Sequence, residues 1–143
     1  MEFHKILIAI DTLPSSEIVA LNGLQLAKQF NSEIALISII DPDTIQDEDE
    51  ATPREREDMM EHNLNRSQVN VIDKIFKDYH VKSFVEKGNP SKIIIQTANT
   101  WGADIIVMGT HGRKGLPHLL MGSVAENVVR HSKKTLIIIP VTD

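Results

Sequence analysis

Residues 109–123, GTHGRKGLPHLLMGS, hold four of the seven glycines in a chain of 143 residues. Gly109, Gly112 and Gly122 are spaced G-x2-G-x9-G, and Ser123 follows the last of them. Glycine lets the backbone approach a ligand closely and adopt φ > 0, so successive N–H groups can line a concave nest for an anion. Ser123 stands where a helix should open. The first amides of a helix lack partners and carry the positive end of its dipole. The serine hydroxyl can cap those amides or donate to a phosphate oxygen. Arg113 and Lys114 add positive charge to the same stretch. Turn formation would account for each glycine singly. The spacing of all three with the serine points instead to a phosphate cradle.

Few other residues could do chemistry. Asp11 closes the first apolar run, where it can accept hydrogen bonds from a ribose or hold an ion that accompanies phosphates. It can equally cap the turn DTLPSS that begins with it. His111 is the candidate base toward a terminal phosphate. His4, His62, His80, His118 and His131 are scattered singly and receive no role. The chain has no G-x4-G-K-[ST] loop and no histidine pair with metal-ligand spacing. No catalytic residue and no protein-held metal are therefore expected.

Five short apolar runs must position these groups: residues 5–11, 33–40, 81–87, 103–109 and 135–141. Four are nearly continuous, as in strands covered on both faces of a parallel sheet. Residues 81–87, VKSFVEK, alternate and suit an edge. Helical spacing links the runs. Residues 15–30 place Ile18, Leu21, Leu24 or Gln25, and Ala27 or Lys28 at helical spacing behind the capping candidates Ser15 and Ser16. Residues 54–79 carry a core stripe of Met60, Leu64, Val71, Ile72, Ile75, Phe76 and Tyr79. Residues 90–100 give Ile93, Ile94, Ala98 and Trp101 with Pro90 suited to the first turn, and residues 123–131 carry Val124, Val128 and Val129 behind Ser123 as N-cap. The order βαβαβαβαβ predicts a three-layer α/β sandwich, a five-stranded, mostly parallel sheet of order 3-2-1-4-5 with helices on both faces. In that order the crevice for a ligand lies between the first strand, ending Ile10-Asp11, and the fourth, ending Met108-Gly109. Residues 41–58 are acidic and proline-punctuated, and are expected to form a solvated loop feeding the long helix.

Composition narrows the function classes. One domain is expected over residues 1–143, with a core built from Ile, Leu, Val and Ala because aromatics are only 4% of the chain. Absence of cysteine removes disulfides, thiolate zinc sites and thiol catalysis. A net charge of −5 argues against a general nucleic-acid binder. The start MEFHK has no signal-peptide layout and no run is long enough to span a bilayer, so no membrane association and a cytoplasmic location are expected.

With these residues in place, the chain strongly resembles the universal stress protein family. KILIAID, LISIID, ADIIVMGTHGRKGL and LLMGSVAENVVRHSKKTLIIIP carry the likeness, which runs over essentially the whole chain. The glycine pattern is that family's nucleotide-binding signature, and members without it do not hold ATP. The resemblance implies ATP or a related adenine nucleotide, with magnesium as a possible companion. Carried over by position, Asp11 with the backbone of Ala9 and Ile10 would line base and ribose, and Ile39 would offer its backbone to the adenine edge. Met108 and Gly109 would floor the site. Gly112, Gly122, Ser123 and Val124 would bind phosphates, with His111 and Arg113 alongside. Ala9 stands where many members carry proline, and Pro117 and His118 depart from the usual spacer.

The expected function is regulatory: a stress-response protein that binds ATP and hydrolyses it slowly at most. The alternative is a dimeric interaction module with a non-functional nucleotide site. The apolar run TLIIIPV, opening on Thr135 and closing on Val141, is expected at a sheet edge, where pairing with a second copy across a two-fold axis would bury it. A flavodoxin-like protein using DTLPSS as its phosphate loop would leave the glycines of 109–123 unexplained. A receiver-type domain would want an acidic residue where this chain has Lys87-Gly88.

Overall fold

A computed structural model describes residues 2–44, 51–110 and 121–141. Its strands are β1 (Lys5–Ala9), β2 (Glu33–Ile40), β3 (Val81–Lys87), β4 (Ile105–Gly109) and β5 (Thr135–Ile139). They form one sheet of order β3-β2-β1-β4-β5. Every neighbouring pair is parallel, so the sheet is wholly parallel rather than mostly so. Helices α1 (Ser15–Phe30), α2 (Pro53–Ile75), α3 (Pro90–Trp101) and α4 (Ser123–His131) supply the crossovers.

Side-chain alternation along the strands builds two cores. Ile6 and Ile8 of β1, Ile34 and Leu36 of β2, and Ile105 and Val107 of β4 face α1 and α2. Leu7, Ala35, Ile37, Ile106 and Met108 face α3 and α4. The two sets explain why the central strands read as unbroken apolar runs. β3, with one neighbour, lies at the edge as expected and buries no residue fully: Val81, Phe84 and Val85 are half-buried and the rest exposed, without the strict alternation read from the sequence.

The helices begin and end where local chemistry dictates. Thr52 caps α2 by accepting the Glu55 N–H at 3.2 Å, its hydroxyl donating to Glu55 Oε1 at 3.1 Å, with Pro53 in the first turn. Asn89 caps α3 through the Lys92 N–H at 3.2 Å, and Gly102, at φ 84°, closes it in the left-handed region. α2 ends at Ile75, short of the expected 79. Phe76 leaves the helix to bury its ring, and Tyr79 donates its N–H back to the Phe76 carbonyl.

Two expectations for α1 fail. Ile18 and Leu21 do not face the core: they are 50% and 47% exposed. The buried face runs through Ser16, Val19, Ala20, Gly23, Leu24 and Ala27. Small residues let the helix lie close on β1, and at Gly23 even a Cβ would come within 2.3 Å of Ile8 Cδ1. Neither Ser15 nor Ser16 caps the helix. Pro14 holds the N-cap position without a side-chain bond, and the Ser16 hydroxyl turns to Asp11.

Candidate functional site

A pocket of about 510 Å³ opens at the C-terminal ends of β1 and β4, where the chain leaves β1 for one face of the sheet and β4 for the other. Ala9, Ile10, Asp11, Ile39, Met108, Gly109, Gly122, Ser123 and Val124 all line it. His111, Gly112 and Arg113 lie outside the described residues, as does Lys114.

One wall is the start of α4. Gly122, with φ −67° and ψ 164°, is its N-cap, no side chain caps the helix, and Ser123 is the first helical residue rather than the cap. The backbone fixes this start: Gly122 donates to the Thr110 carbonyl at 2.6 Å and accepts the Glu126 N–H at 3.0 Å. Since any residue adopts that φ, Gly122 is not needed for a left-handed turn, contrary to the expectation of φ > 0 in the cradle. What glycine does there is withhold a capping side chain. The amides of Ser123, Val124 and Ala125 consequently have no hydrogen-bond partner among the described residues. They stand at the positive end of the helix dipole. Thr110 is itself fastened to β5 through its N–H to the Ile139 carbonyl at 3.0 Å.

The opposite wall is the exit of β1. Asp11 Oδ1 accepts the Leu13 N–H at 2.8 Å and the Ser16 hydroxyl at 2.8 Å, while the Asp11 N–H donates to Ser16 Oγ at 3.0 Å. This is the capping turn expected of DTLPSS, and it leaves Asp11 Oδ2 without a partner among the described residues. Beside it, β2 runs on past the end of β1. The Ile37 carbonyl takes the Ile10 N–H, and the Ile40 carbonyl, on the other edge, takes the Gly88 N–H. Alternation therefore turns the peptide N–H and C=O of Ile39 toward β1, beyond its last rung. Both lack a partner among the described residues.

Other lining residues were not singled out from the sequence. Asp41, Asp43 and Thr44 come from the acidic segment expected as a loop over 41–58: Pro42–Thr44 form a 3-10 turn with no buried residue, 45–50 lie outside the described residues, and from Pro53 the chain is already in α2. Asp41 Oδ1 accepts the Asp43 N–H at 3.0 Å and its carbonyl accepts the Thr44 hydroxyl at 2.8 Å. Such an Asx turn was legible in DPDT. Met60, Asn63 and Leu64 of α2 and Ile94 of α3 complete an otherwise apolar slot. Three carboxylates and no Lys, Arg or His stand among the described lining residues. Among those residues no three His, Asp or Glu converge as a metal site.

This arrangement of a parallel sheet, a glycine-led last helix and a pocket at the β1–β4 fork can be compared with known proteins. The model of the universal stress protein family matches residues 2–140. The chain belongs to that family. Universal stress protein MJ0577 of Methanocaldococcus jannaschii is 29% identical over 96% of this chain and 94% of its own. A solved structure of MJ0577 superposes with a TM-score of 0.80 at 25% identity, covering 100% of this chain and 99% of that one. A universal stress protein in complex with cAMP shares the fold at a TM-score of 0.69 and 18% identity, covering 98% of each chain. One from Archaeoglobus fulgidus in complex with dAMP does so at 0.68 and 18%, covering 97% and 99%. No helix among the described residues is long and apolar enough to cross a membrane.

Proposed function

We propose that this universal stress protein binds an adenine nucleotide, ATP foremost, as a regulatory ligand in a single domain and turns it over slowly at most. The observation that carries this is the pairing of opposite chemistries across one pocket. Bare amides at the start of α4 suit phosphate. The unpaired peptide edge of Ile39, above an apolar slot, offers one donor and one acceptor to a base. Adenine presents an N6 donor beside ring-nitrogen acceptors and can use both. Asp11 Oδ2 would take a ribose hydroxyl between them. Two universal stress proteins of the same fold were solved with adenine nucleotides, cAMP and dAMP.

Charge orients the ligand. Asp41 and Asp43 repel a polyphosphate from the β2 side, leaving α4 as its place. Magnesium would arrive on the phosphates, which supply most of its ligands in such sites. The chain's own part in this reading is binding and orientation; His111, the candidate base, lies outside the described residues. Mass spectrometry of small molecules released from the denatured, purified protein tests the proposal: an adenine nucleotide is expected, and a protein that neither carries nor binds one contradicts it. A stress-response role in the cytoplasm belongs to the same proposal.

A second reading, a dimeric interaction module with an idle pocket, draws on β5. Leu136, Ile137, Ile138 and Ile139 are only half-buried at the sheet edge, and Val129 of α4 is 44% exposed. Pairing with a second copy would cover the strand. Dimerisation fits both readings; bound nucleotide separates them.

A further inference from the structure

The ladder between β1 and β2 stops one rung before it must. Its last bond is Ile10 N–H to the Ile37 carbonyl at 3.0 Å. With Ala9 opposite Ile37, the next rung of a parallel ladder is Ile39 N–H to the Ile10 carbonyl. That bond is absent. The Ile10 carbonyl takes the Ser38 hydroxyl instead, at 3.0 Å. Ser38 is 1% exposed and Gln68 of α2 is 2% exposed, two polar side chains inside an apolar layer. Gln68 Nε2 donates to Ser38 Oγ at 2.9 Å and to the Phe84 carbonyl at 2.9 Å. A hydroxyl has a single proton. With the Gln68 amide donating to the serine oxygen, that proton is directed to Ile10. The preceding residue of α2, Ser67, donates its hydroxyl to the Asp11 carbonyl at 2.8 Å, so one helix turn secures two successive carbonyls of the β1 exit.

The arrangement is costly. Gln68 Oε1 is buried without a partner, a penalty of about 1–3 kcal/mol that an apolar residue on the same stripe would not incur. Leu64 and Val71, the buried apolar neighbours along α2, show that the stripe is otherwise apolar. The polar pair sits at the one place where the ladder is interrupted.

We propose that Ser38, oriented by Gln68, is a positioning residue that keeps this rung open and so leaves the Ile39 peptide edge free for the base of the nucleotide. This rests on the nucleotide reading of the pocket. By bonding the Ile10 carbonyl, Ser38 satisfies it within the core and competes with Ile39 N–H for that acceptor, which leaves the next rung unformed.

Ser38→Ala tests it. Without the hydroxyl, the Ile10 carbonyl recruits Ile39 N–H. Residue-resolved hydrogen exchange on the nucleotide-free protein should show the Ile39 amide becoming more protected than in the wild type. Calorimetry should show ATP binding weakened about three- to tenfold, the worth of one neutral hydrogen bond. A merely structural role for Ser38 moves Ile39 the other way, toward faster exchange. Because Ser38→Ala takes one of the two acceptors of Gln68 Nε2, the double variant Ser38→Ala/Gln68→Leu provides a second, apolar version, with the same gain in protection expected. Unchanged or faster exchange at Ile39 in the folded variants overturns the proposal, as does protection gained with no loss of ATP affinity. A wild-type protein that binds no ATP would sink the reading of the pocket instead, and exchange at Ile39 would still decide whether Ser38 holds the rung open.

Discussion

Asp11 uses one carboxylate oxygen to hold the turn after β1, and the other, at the pocket wall, has no partner among the described residues. The two jobs can be separated. Asp11→Asn retains an oxygen for the Leu13 N–H and replaces the remaining acceptor with a donor. ATP affinity measured by calorimetry should fall about tenfold, as for a lost bond to a charged acceptor, with little change in melting temperature. Unchanged affinity would remove Asp11 from the ligand. At this scale the sequence shows only residues that carry a motif. Gly109, Gly122 and Ser123 stand out through their spacing, and Asp11 through its place at the end of an apolar run. Ser38 and Gln68 do not. Each is a lone polar residue in an apolar pattern, and its meaning depends on which strand rung lies opposite, which no local pattern encodes. The φ > 0 expected in the cradle was an argument from residue type alone, and at Gly122 the missing side chain is what counts.

Elements follow periodicity where large apolar residues mark the buried face, as in α3 with Ile94 and Ala98. α1 shows the limit. Its inward face is built from Ser16, Ala20, Gly23 and Ala27, and a pattern weighted by hydrophobicity selects Ile18 and Leu21 instead. Close approach to β1, not apolar area, chose those residues. Gly23→Ala is the direct check. An alanine in a helix interior gains about 0.5–1 kcal/mol over glycine. Here its Cβ would press on Ile8 Cγ1 and Cδ1 at 2.8 and 2.3 Å, in a side chain with no exposed surface. Overpacking of that kind costs about 1–3 kcal/mol. The variant should therefore melt below the wild type; a higher melting temperature would mean that α1 does not press on β1 as described. The turn at 42–44 was hidden for a different reason: an acidic run reads as solvated until the end of β2 is seen to deliver it to the pocket.

For the whole molecule, strand order was legible because strand-helix alternation leaves few unknotted, right-handed arrangements. Assembly is argued from the free edge. Since Thr110 N–H bonds the Ile139 carbonyl, the odd residues of β5 face β4, and Leu136 and Ile138 turn their peptide groups outward. Pro140, next on that edge, offers a carbonyl but no N–H. Pairing across a two-fold axis would run through Leu136 and Ile138. Ile138→Pro removes one outward donor without breaking a bond to β4. Light scattering should find a dimer for the wild type and a monomer for this variant with its circular dichroism retained; a monomeric wild type would end the dimer proposal.

The functional account depends on one nucleotide bridging two walls of the pocket. Titration of isotope-labelled protein with ATP, followed by amide resonances, observes both walls at once. The account predicts that Ile39 on one side and Ser123, Val124 and Ala125 on the other shift together and saturate at one ATP per chain. Silence at both walls, or shifts confined to residues away from the pocket, would contradict it.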